Sequence, residues 1–370
     1  MINQPSTNLV ATIAQQLFAE LEKDRPNWAQ VRQYVQECPA VIKMTDDDGE
    51  LPLHIACCEN APLNVIQWLV EQWPKAIKEP GYNGRLPLHH AWRCHDDPLD
   101  IIEWLVKQWP EAIKVMDNDG NLPLHVTFSY AGPPPDVIQS LVKLWPEALQ
   151  VKNKAGYLPL HLACLYLQHN TNLIHWIVEQ WPEAIKETNN DGSLPLHIVC
   201  SNHHNDTLDL SQWLVEQGTE AMKEKDNDGR LPLHHACVNW NAGLKLIPWL
   251  LEQWPKAIQE KDNDGRLPLH HACLKNTLLN VIKCMEQWPE AVKVKDNCGQ
   301  LPLHVACNNK YVQLDIIQWL VEQWPEAIKV KDNGGQLPLH LACQADARLD
   351  VIQWLVEQWP EAINDVNKNM

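Results

Sequence analysis

An all-α array of stacked helix–turn–helix units is the fold the sequence predicts, and three observations predict it. Leu-Pro-Leu-His begins at Leu51, Leu86, Leu122, Leu158, Leu194, Leu231, Leu267, Leu301 and Leu337, at intervals of 34 to 37 residues. A fixed period of this length means one supersecondary unit stacked on copies of itself. Turn chemistry stands ahead of each copy, clearest in Asp226-Asn227-Asp228-Gly229 and Asp262-Asn263-Asp264-Gly265. An amphipathic segment follows each copy, usually closed by Trp-Pro, as at Trp324-Pro325.

Each element of the unit has a physical reason. Gly tolerates positive φ, and Asn and Asp bond to their own backbone, so the acidic run is a turn. Leu-Pro then opens a short helix with Pro at the first helical position, where its missing N–H is no loss. Leu233, Ala236 and Cys237 stand at i, i+3 and i+4, so they share the core-facing side. The second helix runs from Leu314 and stops at Pro325, because the residue before a proline leaves the α region.

The stretch Lys225-Asp226-Asn227-Asp228-Gly229-Arg230-Leu231-Pro232-Leu233-His234-His235-Ala236 resembles the ankyrin repeat, whose signature is Thr-Pro-Leu-His-x-Ala. The resemblance spans roughly residues 45–363. It implies a helix-turn-helix solenoid with short β-turn tips: nine repeats of about 36 residues (45–363), an N-terminal capping unit (1–44) and a polar tail (364–370). Two features depart from the family pattern. Leu replaces Thr in every copy, so a hydroxyl cap typically worth ~1 kcal/mol is lost. Burial of that Leu, worth roughly 1.5–3 kcal/mol, offsets it. Trp-Pro replaces the Gly that usually ends the second helix, starting at Trp73, Trp109, Trp145, Trp181, Trp254, Trp288, Trp324 and Trp359. The indole is expected to close the end of the helix pair.

Most prolines and glycines fall at these fixed places, so they are punctuation and not a sign of disorder. Most Trp residues lie at two fixed places in the second helix and are expected in the core. A net charge of −17 argues against nucleic acid and favours a basic or neutral partner surface. No stretch approaches the ~20 apolar residues of a membrane span. The N-terminus lacks a basic region followed by an apolar core. An intracellular protein, cytoplasmic or nuclear, is expected.

Along the chain, Leu9, Val10, Ile13, Leu17 and Leu21 make residues 8–24 an amphipathic helix. Residues 28–42 imitate a second helix and its stop, with Cys38-Pro39-Ala40 for Trp-Pro-Glu-Ala. Trp92 and Phe128 stand where seven other units have Cys, and Gly132-Pro133-Pro134-Pro135 stiffens the loop of unit three. Units five to seven are irregular and expected to form the weakest junctions. Unit five has Gly218-Thr219 for Trp-Pro, unit six puts Pro248 inside its second helix, and unit seven is one residue short before Trp288.

The histidine of every copy invites a metal or catalytic reading, but a position filled in every unit is expected to hold the fold by bonding to a neighbouring turn. Cys57, Cys164, Cys200, Cys237, Cys273, Cys307 and Cys343 are expected reduced and buried, because helix spacing exceeds disulfide reach. No Cys-x-x-Cys pair, phosphate loop or His-Glu-x-x-His occurs, so no metal, cofactor or catalytic residue is assigned. His90, His235 and His271 put a second histidine on the outward side of the first helix. A metal-responsive module built on these is the weakest alternative.

What remains is surface. The resemblance implies a concave face of turn tips and first helices, offering Arg85, His90, Arg93, Tyr130, Tyr157, Leu162 and Tyr166, then Arg230, His235, Arg266 and His271. Tyr and Arg are enriched at binding hot spots. Non-catalytic binding of a protein partner, as scaffold or adaptor, is the expected role. The alternative is a regulatory part of a larger or self-associating assembly. It would pair through unit nine, whose second helix offers Val351, Trp354 and Leu355 with no following unit to cover them.

Overall fold

The computed structural model describes residues 7–93, 98–128, 134–167, 170–202, 207–239, 243–274 and 279–364. Among them the regular structure is helical throughout, with no strand. Contacts gather into two compact bodies, residues 1–184 and 185–370, each built from the same repeated unit. The units are numbered here by their Leu-Pro-Leu-His copies.

The turn is built first, by one side chain. Asp226 Oδ1 accepts from the N–H groups of Asp228 (3.0 Å) and Arg230 (2.8 Å), and Asp262 Oδ1 does the same for Asp264 and Arg266. Gly229 follows at φ +76°, and a Cβ there would stand 2.8 Å from the backbone N of Asn263 in the next turn. Only glycine permits both the backbone angle and that approach. The next turn docks through backbone and side chain together. Asn263 N–H donates to Asp228 O at 2.9 Å, and its Nδ2 donates to Asn227 O at 2.8 Å. Asn297 and Asn333 repeat the side-chain bond at 2.9 and 3.0 Å.

The first helix starts at the motif proline, as in Pro232–Val238, after an extended leucine such as Leu231 (φ −80°, ψ 163°). The missing hydroxyl cap is replaced from inside the helix. In every copy the histidine Nδ1 accepts from the N–H of the leucine three residues before it, at 3.0–3.3 Å. An accepting Nδ1 leaves the proton on Nε2. Nε2 then donates to the following turn: His89 to Asn121 O and His270 to Gln300 O at 3.2 Å, and His304 to Val330 O at 3.0 Å. In these copies the motif histidine is helix cap and inter-unit tie at once, whereas Nε2 of His54 and of His234 is buried without such a bond.

The second helix packs Val65, Ile66, Leu69 and Val70 inward. It ends where the sequence places its stop: Trp73 is extended (φ −147°, ψ 88°) ahead of Pro74. What the sequence reading missed is that the proline also starts a 3-10 turn, Pro74–Lys78, which buries Ala76 and Ile77. The Trp residues correct a second expectation. Among described residues only Trp92 and Trp319 are buried; the rest are half-exposed. Three of them are faced by a cation from the preceding unit: Arg32 over Trp68 at 5.5 Å, Lys78 over Trp109 at 5.3 Å and Lys114 over Trp145 at 6.0 Å. Position explains this, since Ile and Val fill the inward stripe and leave the indoles its flanks.

Six of the seven repeated cysteines are buried and none of the seven is in a disulfide, with burial pushing the thiols of Cys164, Cys200 and Cys273 up to about 12. Cys343 is the exception and is exposed. At the other end, Thr7–Leu21 and Trp28–Glu37 form a helix pair closed by the turn Pro39–Lys43.

The irregular units absorb their departures differently. Helix Gly243–Gln253 runs through Pro248, so the bond a residue there would donate to Leu244 is missing. Unit seven splits into an α segment, Leu279–Lys283 (5 residues), and a 3-10 segment, Cys284–Gln287 (4 residues). At rises of about 1.5 and 2.0 Å these nine residues span ~15.5 Å, against ~15 Å for ten in an α-helix. Tightening the winding recovers the length of the deletion and returns Trp288 to its corner.

Burial of the motif histidines sets a pH limit. Loss of water drives His54, His89, His125, His197 and His270 down to about 4 and His234 to about 3, against 6.5 when free. The unfolded chain therefore binds more protons between about pH 4 and 6.5, and stability rises with pH across that window. Helix content followed by circular dichroism should be stable above pH 6.5 and collapse cooperatively as pH falls toward 4. Full helicity at pH 3.5 would show that the histidines titrate without cost.

Candidate partner-binding site

The second histidine of units two, six and seven does not point outward as expected. His271 is 3% and His90 9% exposed, and His235 is half-buried. The cause lies in the turn: the leading Asp uses Oδ1 for the backbone and has Oδ2 left over. His235 Nε2 donates to Asp226 Oδ2 and His271 Nε2 to Asp262 Oδ2, both at 2.7 Å. Burial is the largest single influence and raises the Asp226 and Asp262 carboxyls, but these hydrogen bonds, the backbone N–H groups of Arg230 and Arg266 and the neighbouring histidines together hold both below the usual carboxylate value.

Unit two breaks this rule. Its turn begins with Gly81, so His90 has no carboxylate on its own turn. Glu50 of unit one takes that place, with Oε1 3.5 Å from His90 Nε2 and Oε2 3.5 Å from His54 Nδ1. A Cβ at residue 81 would overlap Glu50 Oε2, so the observed placement of the Glu50 carboxylate depends on a glycine there. The substitution is imperfect. Glu50 Oε2, His54 Nε2 and His90 Nε2 are buried without a hydrogen-bond partner. Burial, together with the charge of Asp46, raises the Glu50 carboxyl to about 7.

Glu50 forms part of the wall of a groove of about 640 Å3. Its other carboxylates are Glu22, Asp24, Asp46, Asp48 and Glu59, with Arg85, His90, Arg93 and Tyr82 alongside. Arg85, His90 and Arg93, chosen from sequence, thus come together. The groove's chemistry is that of a cation receiver. Cys58 also lines the groove beside Glu59, and burial pushes its thiol up to about 11.

The other residues named from sequence divide. Arg85, Arg230 and Arg266 are turn clamps: Arg85 Nε meets Asp117 Oδ2 at 3.2 Å and Arg266 Nε meets Asp296 Oδ2 at 3.3 Å. Arg230 reaches Asp228 at 3.1 Å and Asp262 at 3.9 Å. Leu162 is only 8% exposed and packs inward, which corrects its assignment to the surface. Tyr157 is half-buried, edge-on to His161 at 5.9 Å between ring centres, and Tyr166 is exposed. Tyr130 lies outside the described residues.

Unit nine corrects the rest. Val351 and Leu355 are buried, because they face the first helix of their own unit, and Trp354 is half-exposed. The more open residues are Cys343 and Ile363, both exposed, and Ile352 and Val356, both half-buried; their counterparts in unit eight, Cys307, Ile328, Ile317 and Val321, are all buried. Sequence marks unit two as different, since Gly81 is the one turn start without Asp or Asn, but it does not point to Glu50.

Among the described residues no three His, Cys, Asp or Glu side chains converge as metal ligands, and no helix is long and apolar enough to cross a membrane. The family model for ankyrin repeats (3 copies) matches residues 26–119, 160–257, 239–329 and 269–369. No curated protein matches the chain.

The Gly81–Glu50 exchange is testable as a double-mutant cycle in chemical denaturation. Gly81→Asp alone should destabilise, and adding Glu50→Ala should recover most of the loss, with a coupling of about 1–3 kcal/mol. Additive effects would mean that the two positions are independent.

Proposed function

The chain belongs to the ankyrin-repeat family, and from that premise we propose that it is a non-catalytic scaffold or adaptor whose turn-tip and first-helix face binds a basic segment of a partner polypeptide. Ankyrin repeats generally mediate protein–protein interaction. The observation that carries the finer reading is the groove over Glu50. It gathers six carboxylates, Glu22, Asp24, Asp46, Asp48, Glu50 and Glu59, one of which keeps a buried oxygen without a partner. A Lys or Arg side chain entering there supplies the missing donor, and the arriving charge favours the ionised Glu50. Net charge of −17 adds long-range attraction for a basic partner.

A fluorescein-labelled peptide rich in Lys and Arg should bind the wild type with an affinity that falls as salt rises. The variant Asp24→Lys/Asp48→Lys/Glu59→Lys should lose about tenfold. A control with the same change of charge elsewhere, Glu322→Lys/Glu326→Lys/Glu357→Lys, should lose much less. Equal losses in the two variants would reduce the attraction to net charge and overturn the groove.

A second reading, association through unit nine, is favoured by the half-buried Ile352 and Val356 and the exposed Ile363. On that reading the wild type sediments as a concentration-dependent dimer and Ile352→Lys/Val356→Lys as a monomer. A wild type that stays monomeric at high concentration removes it.

A further inference from the structure

Unit five keeps the corner of the second helix but not its indole. At the other corners Trp is extended, with ψ between 82° and 93°, as at Trp73, Trp288 and Trp324. Gly218 has φ −161° and ψ 88°, a backbone any residue can adopt. Its hydrogen bonds match too. Gly218 N–H donates to Leu214 O and its carbonyl accepts from Ala221, both at 3.1 Å, as Trp73 does with Leu69 and Ala76 at 3.1 and 3.0 Å. The backbone is therefore shaped for a tryptophan that the chain does not supply.

The space is kept open. A cavity of about 510 Å3 borders Gly218, with Ile185, Leu194 and Ala221 among its apolar walls and Lys186 beside them. Lys186 holds the repeat position of Lys78 and Lys114, whose ammonium groups lie over the rings of Trp109 and Trp145 at 5.3 and 6.0 Å. Glu216, Glu220, Glu224 and Lys225 stand at the cavity as well, with Glu220 paired to Lys223 at 2.9 Å. A volume of this size suits a drug-sized aromatic group.

We propose that this cavity is a binding slot for an indole: a tryptophan side chain of a partner polypeptide, flanked by basic residues, lodges beside Gly218 where the other units place their own. The occupant's chemistry is read from the eight corners that already hold it. Its ring meets Ile185 and Leu194, Lys186 faces it as a cation, and Glu216 and Glu224 take the flanking charges. Only the source of the indole rests on the partner-binding reading above; the slot itself does not.

The probes are fluorescein-labelled Lys-Gly-Trp-Gly-Lys, its Trp→Ala counterpart and free N-acetyltryptophanamide, with anisotropy for the peptides and methyl NMR of Ile185 for the free compound. The tryptophan peptide should bind with a Kd on the order of 0.1–1 mM, and the alanine peptide at least tenfold more weakly. Lys186→Ala should weaken binding about two- to fivefold. Gly218→Trp should abolish it and raise Tm by a few degrees, since the Cβ meets only Ile185 Cδ1, at 3.2 Å. Undiminished binding to Gly218→Trp would overturn the proposal, as would no binding of either tryptophan probe to the wild type. Binding of N-acetyltryptophanamide without the peptide would make the slot a small-molecule site and overturn the polypeptide source. The alanine peptide carries the same two lysines, so binding at the Glu50 groove contributes equally to both peptides, and loss of the tryptophan preference leaves the basic-segment reading standing.

Discussion

Everything in this molecule hangs on one imidazole per unit. Its Nδ1 takes the N–H of the leucine that opens the first helix, and in most copies its Nε2 reaches a carbonyl of the next turn. Both partners are backbone groups that burial would otherwise leave unpaired, each at a cost of about 1–3 kcal/mol. The ring must be neutral to do this, because an accepting nitrogen cannot carry a proton. Burial enforces neutrality, so the same surroundings that create the need for the bond keep the histidine able to make it.

A second constraint follows from the first. Once the turns are held in register by histidine, their leading carboxylates and asparagines come within reach of one another. Asp226 and Asp262 then have an oxygen to spare, which the second histidine uses. Where a turn lacks that carboxylate, at Gly81, the neighbouring unit fills the gap with Glu50 at hydrogen-bonding range but not in good geometry. A buried acid without a full set of partners is where a periodic structure becomes locally distinctive, and the acidic groove forms around it.

Periodicity also makes absences informative. Gly218 is unremarkable as a residue, and its meaning comes from eight other corners with the same backbone and an indole attached. The deletion in unit seven shows the converse: the fold restores the corner position by winding the last turn of the helix more tightly. The spacing of the corners is thus defended, while what stands in a corner is free to change.

The repeat period, the turn glycines, the proline starts and the Trp-Pro stops were all legible in the sequence, because each depends on backbone geometry that neighbouring residues impose. Helix order and the buried cysteines of the inner units follow from the same local rules. The 3-10 turn after each stop was not legible, since Pro-Glu-Ala-Ile-Lys gains its regularity from Ala and Ile packing into the unit. Nor was the direction of the second histidine, nor which side of the last helix lies uncovered. Val351 and Ile352 differ by one position and 100° of helix, and only the placement of the first helix of unit nine decides which is buried. Side-chain partners between units were the province of tertiary structure for one physical reason. They join residues some 30 positions apart, and no local rule relates Glu50 to Gly81 until the stack brings them together.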